Sequence, residues 1–233
     1  MKKKMVALLA GAMLMMGMAT SAMALTMTVS DGINAAVTFT SGTSGVTAGT
    51  GPSLNFTYNN FYFYNLSAFT KYGLNKSFQD QAAINVEYSG SGAANLTITV
   101  SDISYNLNSP LTTPNTNATL KTHVNEITNN AAVTFSGYFD NANALGGTTN
   151  LIGTLGPLNS TNLDDELVAQ ITTSNPFSLT EIVNIAFTTA GEIVSLDSTL
   201  TVAPVPEPGT MMLVGLGMLG MAVYGKRRQN KEA

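Results

Sequence analysis

Two alanines near the start of this 233-residue sequence, Ala22 and Ala24, have the spacing that a signal peptidase reads. They follow a basic start at 2–4 and an apolar run at 5–19. These three features together form the layout of a secretory signal peptide. The sequence therefore predicts a signal peptide at 1–24. This segment directs the chain to the secretion machinery for export, and signal peptidase removes it. The alternative is a retained N-terminal helix.

A second candidate processing site lies near the other end of the chain, at Pro206, Glu207 and Pro208. Each proline fixes φ and lacks a backbone N–H, so this segment cannot continue a helix or join the interior of a sheet. An extended, exposed tripeptide is open to an enzyme at the membrane surface. The alternative is a stiff, solvated linker.

An uncharged run of 16 residues, 210–225, follows these prolines. As a helix it would be about 24 Å long, against a hydrocarbon core of about 30 Å, so it predicts a short transmembrane helix. The run ends on three bases that the positive-inside bias keeps in the cytoplasm: Lys226, Arg227 and Arg228. Because the bases at 2–4 stay inside as well, 25–203 is expected outside the inner membrane.

Taken in series, the Pro-Glu-Pro tripeptide, the short apolar helix and the basic stop closely resemble the PEP-CTERM sorting signal of Gram-negative bacteria. The resemblance covers 205–233, and we assign the sorting region to 204–233. Segments 177–180 and 200–204 are similar to the final hairpin that often precedes this signal. The resemblance implies processing by exosortase, a membrane enzyme thought to act on proteins bound for the cell surface or the extracellular polysaccharide matrix. The tail at 229–233 is slightly longer and less basic than usual.

The charge of the central segment excludes one class of function. Between 25 and 203, three bases face twelve acids, a balance of 3 − 12 = −9. Such a body repels phosphate backbones, so nucleic-acid binding is disfavoured. The chain contains no cysteine, which removes disulfides and thiolate sites, and its one histidine is His123.

The central segment has the size of one domain and alternates apolar residues with Thr, Ser and Asn. Alternating runs at 25–29 and 33–39 flank Asp31-Gly32, a pair that signals a β-hairpin. Two more hairpins are predicted, with turns at 89–92 and 188–192. Many short strands with Gly- and Asn-rich turns predict an all-β fold, an antiparallel β-sandwich.

Three segments of the body are predicted not to be strands. The segment 163–171, with acidic residues near its start, is the best candidate for a short helix. The Asn- and Gly-rich segments at 115–119 and 146–150 are predicted to be surface loops.

An aromatic run at 56–64 is the best candidate for ligand binding. Tyr58, Tyr62 and Tyr64 could present ring faces to the apolar faces of sugars. Alternating aromatics are also typical of a buried strand, and the sequence favours that interpretation.

Other groups of residues give weaker hypotheses. The triplet at 164–166 and the segment 140–143 could donate oxygens to Ca²⁺, although neither has EF-hand spacing. The first equally suits a helix N-terminus and the second a turn. His123 and Glu126 could form a triad with a serine, but no nucleophile-elbow motif is present and a lone surface histidine is favoured. Paired carboxylates of a glycoside hydrolase stay open, because their pairing is spatial.

The leading hypothesis is therefore a non-enzymatic protein without a cofactor. It is exported, held transiently in the inner membrane, and passed by exosortase to the cell surface or extracellular matrix, where it associates with exopolysaccharide in biofilm. A carbohydrate-binding adhesin is the alternative, and a secreted hydrolase is a weaker one.

Overall fold

The computed structural model describes residues 25–41, 45–47, 56–72, 76–107, 115–205, 215–219 and 221. Up to 205, these residues form thirteen β-strands. The strands are β1 (Leu25–Ser30), β2 (Val37–Ser41), β3 (Gly45–Thr47), β4 (Phe56–Tyr58), β5 (Phe61–Lys71), β6 (Ser77–Tyr88), β7 (Ala94–Tyr105), β8 (Asn115–Ile127), β9 (Ala132–Asp140), β10 (Asn150–Leu158), β11 (Leu163–Thr172), β12 (Phe177–Phe187) and β13 (Glu192–Pro204).

The strands form two antiparallel sheets that pack face to face. Sheet A has six strands in the order β10-β9-β12-β7-β1-β2, and sheet B has seven in the order β11-β8-β13-β6-β5-β3, with β4 paired to β5. One continuous apolar core lies between the sheets. The prediction of an antiparallel β-sandwich is confirmed.

Alternation along the strands explains how the core forms. In β13, every second residue is buried along most of its thirteen positions, including Val194, Leu196, Leu200 and Val202. Because successive side chains point to opposite faces of a sheet, this pattern supplies one apolar face and one polar face. Burying each such side chain contributes about 1.5–3 kcal/mol relative to leaving it exposed.

The turn between β1 and β2 is built around Asp31. Its Oδ1 accepts hydrogen bonds from the backbone N–H of Ile33 (3.0 Å) and of Asn34 (2.8 Å), while Gly32 takes a φ of 73°. Tyr58, almost fully buried, donates its hydroxyl to the same carboxylate (3.2 Å). Desolvation opposes ionisation of Asp31, but the hydrogen bonds from Asn34, Ile33 and Tyr58 outweigh it and hold the pKa of Asp31 well below its usual range. The predicted Asp-Gly hairpin is confirmed.

The other two predicted hairpins are wrong, because their turns connect the two sheets. The turn at 89–92 leads from β6 in sheet B to β7 in sheet A, and the turn at 188–192 leads from β12 in sheet A to β13 in sheet B. Both faces of a sandwich core require the same alternation, so the pattern cannot distinguish a hairpin from a crossing between sheets. At the second crossing, the buried Glu192 accepts a hydrogen bond from the Thr188 N–H (2.6 Å).

Two further local predictions are also wrong. The predicted helix at 163–171 is β11, and the predicted loop at 115–119 is the start of β8. The two strands pair over ten residues without a register shift, from Leu163↔Val124 to Thr172↔Asn115. This pairing sets acidic residues of β11 opposite basic residues of β8, a long-range effect that overrides the local preference for a helix.

Candidate functional site

The sorting region begins where the last strand of sheet B ends. β13 runs to Pro204, which pairs with Thr116 of β8, and the described part of the sandwich ends at residue 205. The predicted processing and anchoring residues lie outside the described part of the chain: Ala22, Ala24, Pro206, Glu207, Pro208, Lys226, Arg227 and Arg228.

Within the predicted transmembrane segment, 215–219 and 221 are helical. Their large apolar side chains are exposed, from 58% at Leu216 to 70% at Met221. In the described part of the chain, helices are too short to cross a membrane. The transmembrane span at 210–225 stays a prediction.

A polar groove of about 470 Å³ lies on the outer face of sheet B, across β8, β11 and β13. Lys121 and Glu166 form an ion pair at 2.9 Å, and His123 Nδ1 lies 2.6 Å from Asp164 Oδ1. The hydrogen bond to Asp164 raises the pKa of His123 above its ordinary value. These pairs are cross-strand neighbours in register, so the groove exists only because β8 and β11 are adjacent.

The acidic triplet at 164–166 does not converge on one point. Asp164 and Glu166 are exposed in the groove, where they contact His123 and Lys121, whereas Asp165 between them is half-buried in the groove lining and alternates with them along the strand. Within the described residues, no three His, Asp or Glu side chains are grouped in a way that could hold a metal ion. His123 pairs with Asp164, not with Glu126 as the triad hypothesis required.

The second calcium candidate, 140–143, is a turn after β9. Asp140 Oδ1 accepts a hydrogen bond from the Ala142 N–H (2.8 Å), and Asn143 Oδ1 accepts one from the Ser104 N–H (2.7 Å). Asn141 Oδ1 accepts a hydrogen bond from the Ser174 N–H (2.8 Å). These side chains therefore serve the turn and its neighbours, as the turn interpretation expected.

Most of the aromatic run belongs to the core. Tyr58, Phe61 and Phe63 are 5%, 2% and 0% exposed, and Phe61 packs against Tyr88 and Phe187 with ring centroids 5.1 and 5.6 Å apart. The interpretation of these residues as core packing is confirmed. Tyr58 is consequently unavailable as a sugar-stacking surface.

Tyr62 and Tyr64 are the exception, because they point outwards from β5. Their rings meet edge to face at 4.7 Å, and Tyr64 donates its hydroxyl to the Glu87 carboxylate. That hydrogen bond raises the pKa of Tyr64. Phe69, 38% exposed on the same strand, meets Phe78 edge to face at 5.6 Å. The outer face of sheet B thus carries aromatic rings on β5 and β6 and charges on β8, β11 and β13.

The core holds a carboxyl group that breaks the apolar alternation of β12. Glu181 is fully buried, and neither of its oxygens has a hydrogen-bond partner. Burial raises the pKa of Glu181 to about 8; the Ser198 hydroxyl opposes the shift and the Asp80 carboxylate adds to it. Glu181 is therefore protonated at neutral pH.

A second buried carboxylate, Asp102, gave no signal in the sequence. Thr70 Oγ1 donates to it at 2.8 Å, the Ile103 N–H donates at 2.8 Å, and the Tyr72 hydroxyl also donates. Burial and the hydrogen bond to Asp102 raise the pKa of Tyr72 above its usual range. In contrast to Glu181, Asp102 accepts hydrogen bonds from three donors, as a buried polar group requires.

Comparison with known families gives one match. Residues 204–228 fit the model of the PEP-CTERM protein-sorting motif. The matched segment begins at the last residue of β13 and covers the tripeptide, the apolar run and the basic stop. A search of curated proteins finds no match.

Several solved structures align with the chain at low similarity. The C-terminal CBM6 of LamC, a laminarinase from Zobellia galactanivorans, is 13% identical, with 50% of this chain and 78% of that chain covered and a TM-score of 0.27. The adhesin domain of Epf from Streptococcus pyogenes is 12% identical, with 79% and 60% covered and a TM-score of 0.36. A carbohydrate-binding module of Cellvibrio mixtus lichenase 5A, in complex with cellotriose, is 9% identical, with 53% and 79% covered and a TM-score of 0.26.

Proposed function

We propose that this PEP-CTERM protein is a non-enzymatic surface or matrix component, in which the β-sandwich is the cargo that exosortase delivers. The observation that carries the proposal is the sorting motif at 204–228, which begins at the end of the last strand. In this proposal the precursor is anchored in the inner membrane, is processed near Pro206–Pro208, and then associates with exopolysaccharide.

The arrangement of the strands supports such an anchored precursor. Pro204, at the end of β13, pairs with Thr116, whose hydroxyl lies 3.2 Å from that of Thr173. Two residues further on, Asn175 accepts a hydrogen bond from the Leu107 N–H, just beyond the end of β7.

The start of β1 lies beside that same end of β7, where Thr26 pairs with Ser101. The start of β1 and the end of β13 therefore lie at the same end of the sandwich. In the proposed precursor, the end of the sandwich that holds Leu25 and Pro204 faces the membrane, and the opposite end projects away from it.

The outer face of sheet A suits a hydrated, neutral matrix. On sheet A, Thr28 and Thr38 hydroxyls share a hydrogen bond of 3.0 Å, and Thr97 donates to Asn184 at 2.8 Å on an exposed part of the surface. Such groups form hydrogen bonds without adding net charge, so they can meet uncharged polysaccharide with little electrostatic repulsion.

The test is to delete Pro206–Pro208 and express the chain in a host that makes exosortase. We expect the intact chain to lose its C-terminal region and reach the surface, and the deletion variant to remain in the membrane at a higher mass. A deletion of equal size at 230–232, outside the matched segment, is the control and should behave as the intact chain. Retention of the C-terminal region by all three proteins, or its loss from all three, with the same location, would reject the proposal.

A second candidate function, carbohydrate binding, is favoured by the outward Tyr62 and Tyr64. Aromatic faces beside a carboxylate could combine stacking with hydrogen bonding to a sugar. The measurement is retention of the protein on polysaccharide columns, comparing Tyr62→Ala/Tyr64→Ala with Tyr138→Ala on sheet A. Loss of retention in the double variant alone supports this function, and no retention of the intact chain on any polymer removes it.

A further inference from the structure

We propose that two copies of this protein pair through the free edge of β11, antiparallel and around a two-fold axis, so that sheet B of one copy continues into sheet B of the other. The proposal rests on the edge itself and on its charges, and it is independent of the sorting function.

β11 differs from the other four edge strands among the described residues. β2 has five residues, β3 and β4 have three each, and β10 carries Pro157 and two register shifts against β9. Short length, proline and irregular register are devices that protect an edge from pairing. β11 has ten residues, contains no proline and pairs with β8 in unbroken register. Of the described strands, only β8 is hydrogen-bonded to it, while β10 of sheet A packs against β11, with Gly153 beside the Leu167 side chain.

The centre of this edge exposes an apolar side chain. Val168 lies on the outer face of β11 and is 59% exposed. In a two-fold antiparallel pair centred on it, Val168 faces its own copy. Directly opposed β-branched side chains contribute to sheet pairing, and each would remove the other from water.

The charges of β11 select the antiparallel orientation. All three acids lie in its first half, at 164–166, and the remaining residues, 167–172, are uncharged. A parallel, in-register pair would bring three like charges to within about 5 Å of their copies.

The antiparallel pair separates these acids. With Val168 opposite its copy, Glu166 faces the uncharged Gln170. The two copies of Asp164 lie eight residues apart along the strand direction, or about 27 Å. That distance exceeds the Debye length of about 8 Å at physiological ionic strength. Although the segment 25–203 has a formal net charge of −9, two copies can therefore pair at this edge without placing acidic side chains opposite each other.

Cross-linking tests the register directly, because the chain has no cysteine of its own. In full-length protein in detergent, Val168→Cys places one thiol opposite its copy, at a Cβ separation of about 4.5–5.5 Å, near the range of a disulfide. Mild oxidation should convert most of this variant to a covalent dimer. Thr201→Cys is the matched control, since Thr201 lies in the same row and on the same face two strands from the edge, and it should stay monomeric.

Light scattering of the full chain tests the equilibrium. Val168→Lys puts two like charges at the centre of the pair and should weaken dimerisation by roughly tenfold or more, whereas Thr201→Lys should leave it unchanged. Circular dichroism checks that each variant keeps its sheets. If Val168→Lys does not fold, the cross-linking of Val168→Cys compared with Thr201→Cys tests the dimer instead.

Three results would overturn the proposal: a wild-type chain that is monomeric at all concentrations, equal dimerisation of the two lysine variants, or equal cross-linking of the two cysteine variants.

Discussion

The buried carboxyl of Glu181 should make the stability of the sandwich depend on pH in a defined direction. Its pKa rises from 4.5 to about 8 on folding, because burial removes the charged form from water. The folded state therefore holds a proton that the unfolded state releases. The associated stability is fully present below pH 4.5 and is lost progressively as pH rises through 8.

The magnitude follows from the shift. A difference of one unit between the folded and unfolded pKa values corresponds to about 1.4 kcal/mol of unfolding free energy. Glu181 therefore contributes about 5 kcal/mol to the unfolding free energy at low pH, and this contribution is lost between pH 4.5 and 8. Since whole domains are stable by only about 5–15 kcal/mol, the effect should be large enough to measure without ambiguity. Glu181→Gln keeps the shape of the group but cannot ionise, so it should lack this dependence.

The assay is unfolding of the segment 25–205 in denaturant, monitored by tyrosine fluorescence at several pH values between 4.5 and 9. This segment contains both sheets and all of the buried apolar core. The other titrating groups are shared by the two proteins. The difference in unfolding free energy between Glu181→Gln and wild type therefore isolates this site. It should grow in favour of the variant as pH rises, and a difference that stays flat from pH 4.5 to 9 would show that folding does not raise the pKa of Glu181.

Three other substitutions in the same segment have expected outcomes. Phe63→Ala removes a fully buried ring and should cost about 3–5 kcal/mol in urea unfolding; a loss below 1 kcal/mol would contradict the described core. Asp31→Ala removes the acceptor of the first turn and should cost about 1–3 kcal/mol at neutral pH. That loss should shrink in strong acid, where the carboxylate of the wild type is protonated. Lys121→Ala breaks an exposed ion pair and should change stability by less than about 1 kcal/mol, with the small effect vanishing in high salt.

Much of the local structure could be predicted from residue patterns. Alternation identified the strands around 25–39, 96–100 and 194–202, and Asp31-Gly32 identified the first hairpin. The same alternation could not say which strands pair, because both sheets bury one face against the same core. The crossings at 89–92 and 188–192 were mistaken for hairpins for this reason.

The outer groove depends on contacts between residues far apart in sequence. His123 and Asp164 are separated by 41 positions, and only the pairing of β8 with β11 brings them together. Composition near 163 favoured a helix, which would have placed Asp164 and Glu166 on different sides. Glu181 was visible as an exception to the apolar pattern of its strand, but Asp102, in another strand, carried no such signal.

The most direct test of the account is the intact mass of the mature protein recovered from a host that makes exosortase, beside the same chain from a host that lacks it. Both proteins should begin at Leu25, and only the first should also have lost C-terminal residues within 204–233. One polypeptide carrying both Met1 and Ala233 in the two hosts would contradict it.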